Sequence, residues 1–204
     1  EKKDGDMDSR DILTIKGLIR RGEARTASSY NNIPLDRVHF LDLPFYETGK
    51  IQKNPISEAD VEIVRNLLRE IKPHQIFVAG DLADPHGTHR VCTDAVFAAV
   101  DLEKEEGAKW LKDCRIWMYR GAWAEWEIEN IEMAVPISPE ELRAKRNSIL
   151  KHQSQMESAP FLGNDERLFW QRSEDRNRGT ATLYDQLGLA SYEAMEAFVE
   201  YIPL

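Results

Sequence analysis

Apolar residues recur along this chain in two rhythms. Ile12, Ile15, Leu18 and Ile19 stand three or four apart behind Asp8 or Ser9. That is one face of a capped helix, predicted to run to about Tyr30. "RVHFLDLP" is short and apolar and predicts a buried strand, Arg37 to Leu43. "PFYETGKIQKNPIS" is polar, with a glycine and two prolines, and reads as a loop. Ser57 and Asp60 open a second helix with Val61, Val64, Leu67 and Leu68 on one face, and Lys72–Pro73 ends it. "QIFVAG" predicts a second strand, Thr88 to Glu105 a helix, "CRIWMYRG" a third strand and "IEMAVPIS" a fourth. Ser138 and Glu141 form a capping box that starts the helix in "SPEELRAKRNSILKHQSQM".

Helices alternating with buried strands predict an α/β fold. Its sheet is expected to be mostly parallel, covered by helices that serve as crossovers. Residues 1–159 are expected to form the body of one domain. Residues 160–204 are expected to wrap it: "FLGNDERLFWQRSEDRNRGTATLYDQLGL" is polar and irregular, and "SYEAMEAFVEYI" reads as a closing helix. Within the wrap, "RSEDRNRG" reads as a solvated charged loop whose arginines could clamp a phosphate.

Charge narrows the partners. The 204 residues carry 36 acids and 27 bases, a net charge of -9. That field argues against nucleic acid or an anionic membrane as the main partner. No apolar run approaches the roughly 18 residues that span a bilayer, and no signal-peptide pattern is present. Two cysteines, Cys92 and Cys114, fit a reducing cytoplasm better than a disulfide framework. The first residue is Glu1 within a polar lead, so the chain is expected to begin inside a longer protein.

The candidate chemistry lies in "GDLADPHGTHRVCTDAV", Gly80 to Val96. It joins a predicted strand to a predicted helix, where open α/β sheets bind ligands. His86 and His89 are three apart and share a side if both lie in the first helical turn. Neutral imidazoles with a carboxylate are metal ligands. The same residues can equally cap and solvate a helix start, and two histidines alone make no metal site. Asp42, at the end of its predicted strand, could reach the same crevice or merely cap a loop. Cys92 could be a further ligand, although a buried free thiol is the simpler reading. Trp117 reads as core; Trp123 and Trp126, in polar context, could form a sugar platform or meet another domain or subunit.

"DPHGTHR" resembles the second metal motif of the PIG-L/LmbE-like deacetylase family. "KRNSILKHQSQ", Lys145 to Gln155, is similar to that family's late helix with its His-x-Ser-Gln ending, and "RRGEARTASSYNNIP" to its Arg-x-x-Glu helix. "LPFYETGKIQ" and "YRGAWAEWE" resemble a subgroup from Bacteroides-type bacteria, in which such a region follows a glucosamine-6-phosphate deaminase-like domain. The resemblance implies a Rossmann-like three-layer fold and a zinc hydrolase of N-acetylglucosamine-type amides. By position, it implies His89 as metal ligand. His86 would be the imidazole that stabilises the oxyanion or protonates the leaving amine, and Arg20 and Asp84 would contact substrate. It gives His152 no definite role.

The family's His-Pro-Asp-Asp segment, which carries two further ligands and the general base, does not occur in these residues. The sheet is therefore expected to lack its first strand. Zinc is expected in the intact parent and weakly or not at all here, and this fragment is expected to be inactive alone. The alternative is a non-catalytic sugar-binding or regulatory domain, with deamination done by an attached domain. The expected partner is a small amino sugar; self-association or contact with the deaminase domain stays open.

Overall fold

The computed structural model describes residues 8–46, 54–80, 87–122, 124–156 and 166–203. Five helices are described: α1 (Arg10–Tyr30), α2 (Glu58–Ile71), α3 (Thr88–Glu105), α4 (Pro139–Ile149) and α5 (Phe169–Gln186). The four strands described are β1 (Gln75–Ala79), β2 (Arg115–Tyr119), β3 (Met133–Ile137) and β4 (Ala194–Tyr201). They form one sheet in the order β1-β2-β4-β3. The α/β class is as expected, and α3 makes the crossover between β1 and β2, which pair in parallel from Gln75↔Arg115 to Ala79↔Tyr119. β4 joins the other edge of β2 antiparallel, from Ile116↔Tyr201 to Tyr119↔Phe198, so the sheet is mixed. None of the described helices is long and apolar enough to cross a membrane.

The chain folds into two compact units, one of residues 1–40 and 135–196, the other of residues 41–134 and 197–204. In the second unit, α2 and α3 bury Val61, Val64, Leu68, Ala95, Ala99 and Val100 against Val78 and Ile116 of the strands. Caps fix where α2 begins and ends. Ser57 and Asp60 form the expected capping box, and Lys72 closes the helix in the left-handed region at φ 48°. Arg65 ties α2 to α3 by donating from Nε to Glu103 Oε1 at 3.0 Å.

The first unit buries a polar cluster beside Leu142, Ala181 and Met195. α5 buries Ser173, Glu174, Arg176, Asn177 and Thr180. Lys145 Nζ, on α4, donates to Asn177 Oδ1 at 2.6 Å and to Glu196 Oε2 at 2.7 Å. Arg176 pairs with the same Glu196 carboxylate. Burial pushes that carboxyl up, but Arg176 and Lys145 outweigh it and hold it below the ordinary range. In α1, by contrast, Ile12, Ile15, Leu18 and Ile19 are 43–63% exposed, so the stripe that specifies the helix is not its packed face.

Three expectations are corrected. Arg37–Leu43 is not a strand: Leu35–Arg37 is a 3-10 turn, and Val38–Leu43 makes no ladder. Leu41 and Leu43 still pack against the core, but Asp42 between them sits at φ 51°, which interrupts an extended backbone. "RSEDRNRG" is not a loop but the middle of α5. The closing segment is not a helix but β4, because β2 offers it an open edge and Phe198, Val199 and Tyr201 suit a strand.

Candidate functional site

In the second unit the site begins where β1 ends. Gly80 continues the ladder, donating its N–H to the Tyr119 carbonyl at 2.8 Å. A Cβ on Gly80 would lie 2.6 Å from Trp126 Cζ2 and 2.7 Å from Met118 Cβ, so no larger residue fits without displacing them. Arg120 donates from Nη1 to the Gly80 carbonyl at 3.2 Å and lies 4.0 Å from the centre of the Trp126 ring. Beside this, Thr93 of α3 donates its hydroxyl to the Ala79 carbonyl at 2.7 Å. That bond fixes the start of α3 to the carboxyl end of β1.

His89 stands in the first turn of α3, exposed, behind an N-cap of Gly87 at φ 68°. Gly87 gives the helix no side-chain cap, and only glycine takes that conformation readily. His89 therefore lies where ligands bind in α/β sheets. Asp84 and His86 lie outside the described residues, as does Trp123. Among the described residues, no three His, Cys, Asp or Glu side chains converge as a metal would need. A catalytic zinc takes three protein ligands, so His89 and its described surroundings do not fit one by themselves. Cys92, one turn along, is exposed rather than buried; the core contacts of α3 are made by Thr93, Ala95 and later residues.

In the first unit, the residues of two motifs quoted above meet. Glu23 of α1 accepts from the Ser154 N–H at 2.7 Å and from the Ser154 hydroxyl at 2.6 Å. Burial pushes the Glu23 carboxyl up; the two bonds from Ser154, with His152 and Arg20 nearby, outweigh it and hold it low. With the Gln155 amide turned oxygen-first, Arg20 donates to it from Nε at 2.9 Å and from Nη2 at 3.1 Å. Arg20, exposed on α1, is thus part of a clasp between α1 and the 3-10 turn Gln153–Gln155.

Sequence reasoning missed Gly80, Thr93, Arg120 and the packing of Trp126. One signal was present: a glycine ending an apolar strand marks a close backbone approach. Trp126 packs over Gly80 beneath Arg120, so that part of its surface is covered. Trp117 is core, as expected, at 4% exposed.

Comparison with known proteins places these residues in context. The family model described as PIG-L, GlcNAc-PI de-N-acetylase, matches residues 2–100. Among solved structures, the 4-carboxy-2-hydroxymuconate hydratase GalB of Pseudomonas putida is 13% identical. The match covers 91% of this chain and 72% of that one, with a TM-score of 0.62. A conserved protein from Thermus thermophilus is 18% identical over 98% of this chain and 77% of its own, with a TM-score of 0.58. A deacetylase of the teicoplanin biosynthesis pathway is 17% identical over 90% and 73%, with a TM-score of 0.53. These likenesses concern the fold.

Proposed function

We propose that this chain supplies the PIG-L-type domain of an N-deacetylase that hydrolyses the acetamide of an N-acetylglucosamine-like amino sugar, and that these residues are inactive alone. The observation that carries this reading is the family match over residues 2–100, which takes in Arg20, Asp84, His86 and His89. The exposed position of His89 at the carboxyl end of the sheet supports it. In this reading His89 is a metal ligand, and His86 supports the oxyanion or protonates the leaving amine. Asp84 contacts the sugar. The described residues do not complete a zinc centre, and no His-Pro-Asp-Asp segment occurs among the 204 residues.

That deficit favours a second reading, a non-catalytic sugar-binding domain. One experiment separates the two. Acetate release from N-acetylglucosamine and its 6-phosphate is measured on the full-length protein in zinc-saturated buffer, alongside metal content. His89→Ala is expected to lose activity and metal together. His86→Ala is expected to keep metal while turnover falls about 10²–10³-fold, the scale of one oxyanion stabiliser or general acid. If wild type binds the sugar and releases no acetate, the binding reading stands. If both substitutions leave activity and metal unchanged, the DPHGTH stretch is only a helix start.

A further inference from the structure

We propose that the exposed face of α1 is a self-association surface, on which a second copy of this chain lays its own α1 antiparallel about a two-fold axis. This inference is independent of the deacetylase reading. Ala27 is the one buried residue of α1. The helix is tied to its unit near its carboxyl end, where Glu23, Tyr30 and Asn31 bond to Ser154, Asn147 and Ser148. Its first half carries Ile12, Ile15, Leu18 and Ile19, each 43–63% exposed. A continuous exposed apolar stripe marks an interaction surface.

The spacing of the stripe points to its occupant. Ile12, Ile15, Ile19 and Gly22 follow one another at steps of three, four and three, the a and d positions of a helix-on-helix seam. In an antiparallel pair, Ile15 packs on Ile19 of the second copy. Ile12 then lies over the second copy's Gly22, where a Cβ would meet nothing within 4 Å. A parallel pair would set Gly22 against Gly22 and leave a void. Charge agrees with the antiparallel arrangement. Asp11 and Arg25 stand seven residues before and after Leu18, on one edge of the seam. Antiparallel pairing about Leu18 brings each Asp11 to Arg25 of the second copy, and the two-fold axis makes two such ion pairs. Within one chain, neither meets an opposite charge among the described residues; Arg25 lies over the Phe40 ring, 5.5 Å from its centre. Lys16, on the other edge, is already held by Asp8 at 2.5 Å. A seam of one helix lies at the lower size limit of specific interfaces, about 1,000 Å² or less, so the dimer is a reversible one.

Sedimentation equilibrium of the full chain, from about 1 to 200 μM, tests this. Wild type is expected to rise toward twice the chain mass, with a Kd on the order of 10 μM. Ile15→Glu puts a charge into the seam and is expected to weaken association more than about 100-fold. Arg25→Asp sets like charges face to face and is expected to weaken it about 10-fold. Adding Asp11→Arg to Arg25→Asp is expected to return Kd to within about 3-fold of wild type. Ile15 and Arg25 are exposed, so each single variant is expected to keep its Tm within about 2 °C. A monomeric wild type overturns the proposal: a Tm lowered in Ile15→Glu then means that the stripe is covered by its own chain, and an unchanged Tm that it is bare. A dimer that survives Ile15→Glu places the interface elsewhere and overturns it as well. So does a double variant that associates no better than Arg25→Asp, because the antiparallel register is then wrong.

Discussion

Asp60 does more than its place in a capping box announces. The pattern Ser57-x-x-Asp60 is legible because capping is local: both partners lie within one turn. What the pattern hides is the second use of the carboxylate. Asp60 is fully buried, and its Oδ1 accepts the Phe45 N–H at 2.9 Å while Oδ2 accepts the Ser57 N–H at 2.8 Å. One side chain thus starts α2 and anchors the preceding turn, Pro44–Tyr46. Ser57→Ala is expected to cost about 1 kcal/mol, the usual value of a cap. Asp60→Ala strands two donors as well and is expected to cost about 3 kcal/mol. Urea denaturation checks the ordering; equal losses for the two variants would mean that the Phe45 bond adds nothing.

At the scale of elements, legibility followed locality. α1, α2 and α4 announce themselves through caps or period, α3 by its place between two predicted strands, and β1 and β2 through short apolar runs. α5 does not, because its buried face is polar but for Ala181: Ser173, Glu174, Arg176, Asn177 and Thr180. Such a face is stable only when its partners arrive from elsewhere, and Lys145, Arg146 and Glu196 are distant in sequence. β4 misleads for a related reason. Glu196 and Glu200 are four apart and imitate a helix, yet pairing with β2 decides the conformation. Arg37–Leu43 errs the other way, since its composition suits a strand that the described residues do not pair. The Glu196 cluster therefore sets an acid limit on the first unit. Its carboxyl is held below the ordinary value of about 4.3. A depressed carboxyl contributes stability above its unfolded pKa and loses it as pH falls through the folded one. Glu196→Gln is expected to cost about 3 kcal/mol at pH 7 by leaving Arg176 buried without its counter-charge. It is also expected to flatten the loss of stability below about pH 4.3 that wild type shows. Thermal unfolding measured from pH 7 to pH 3 checks both; parallel curves for the two proteins would sink the assignment.

For the whole molecule, the fold constrains function only loosely. A hydratase and a deacetylase share it with this chain at 13% and 17% identity, so the fold by itself does not fix a reaction. Of the DPHGTH stretch that the sequence singles out, His89 is described, in the first turn of α3. The sequence could not make legible the packing of Trp126 and Arg120 on Gly80, nor the clasp of Arg20 and Glu23 on Ser154 and Gln155, which exist only after folding. Metal is where the described residues and the deacetylase reading pull apart, and linkage turns the difference into a measurable quantity. A ligand that binds only the folded state stabilises it by RT ln(1 + [L]/Kd). At about 100 μM zinc, a site of nanomolar Kd adds about 7 kcal/mol, which for a chain of this size raises Tm by more than about 10 °C. A site with Kd near or above 100 μM adds less than about 0.5 kcal/mol. With His89 the candidate ligand among the described residues and no cluster around it, the small value is expected. The measurement is Tm with and without zinc, for wild type and His89→Ala. A large rise in wild type that vanishes in His89→Ala would show that these 204 residues hold a full ligand set, and would place the metal chemistry of the deacetylase reading within this chain.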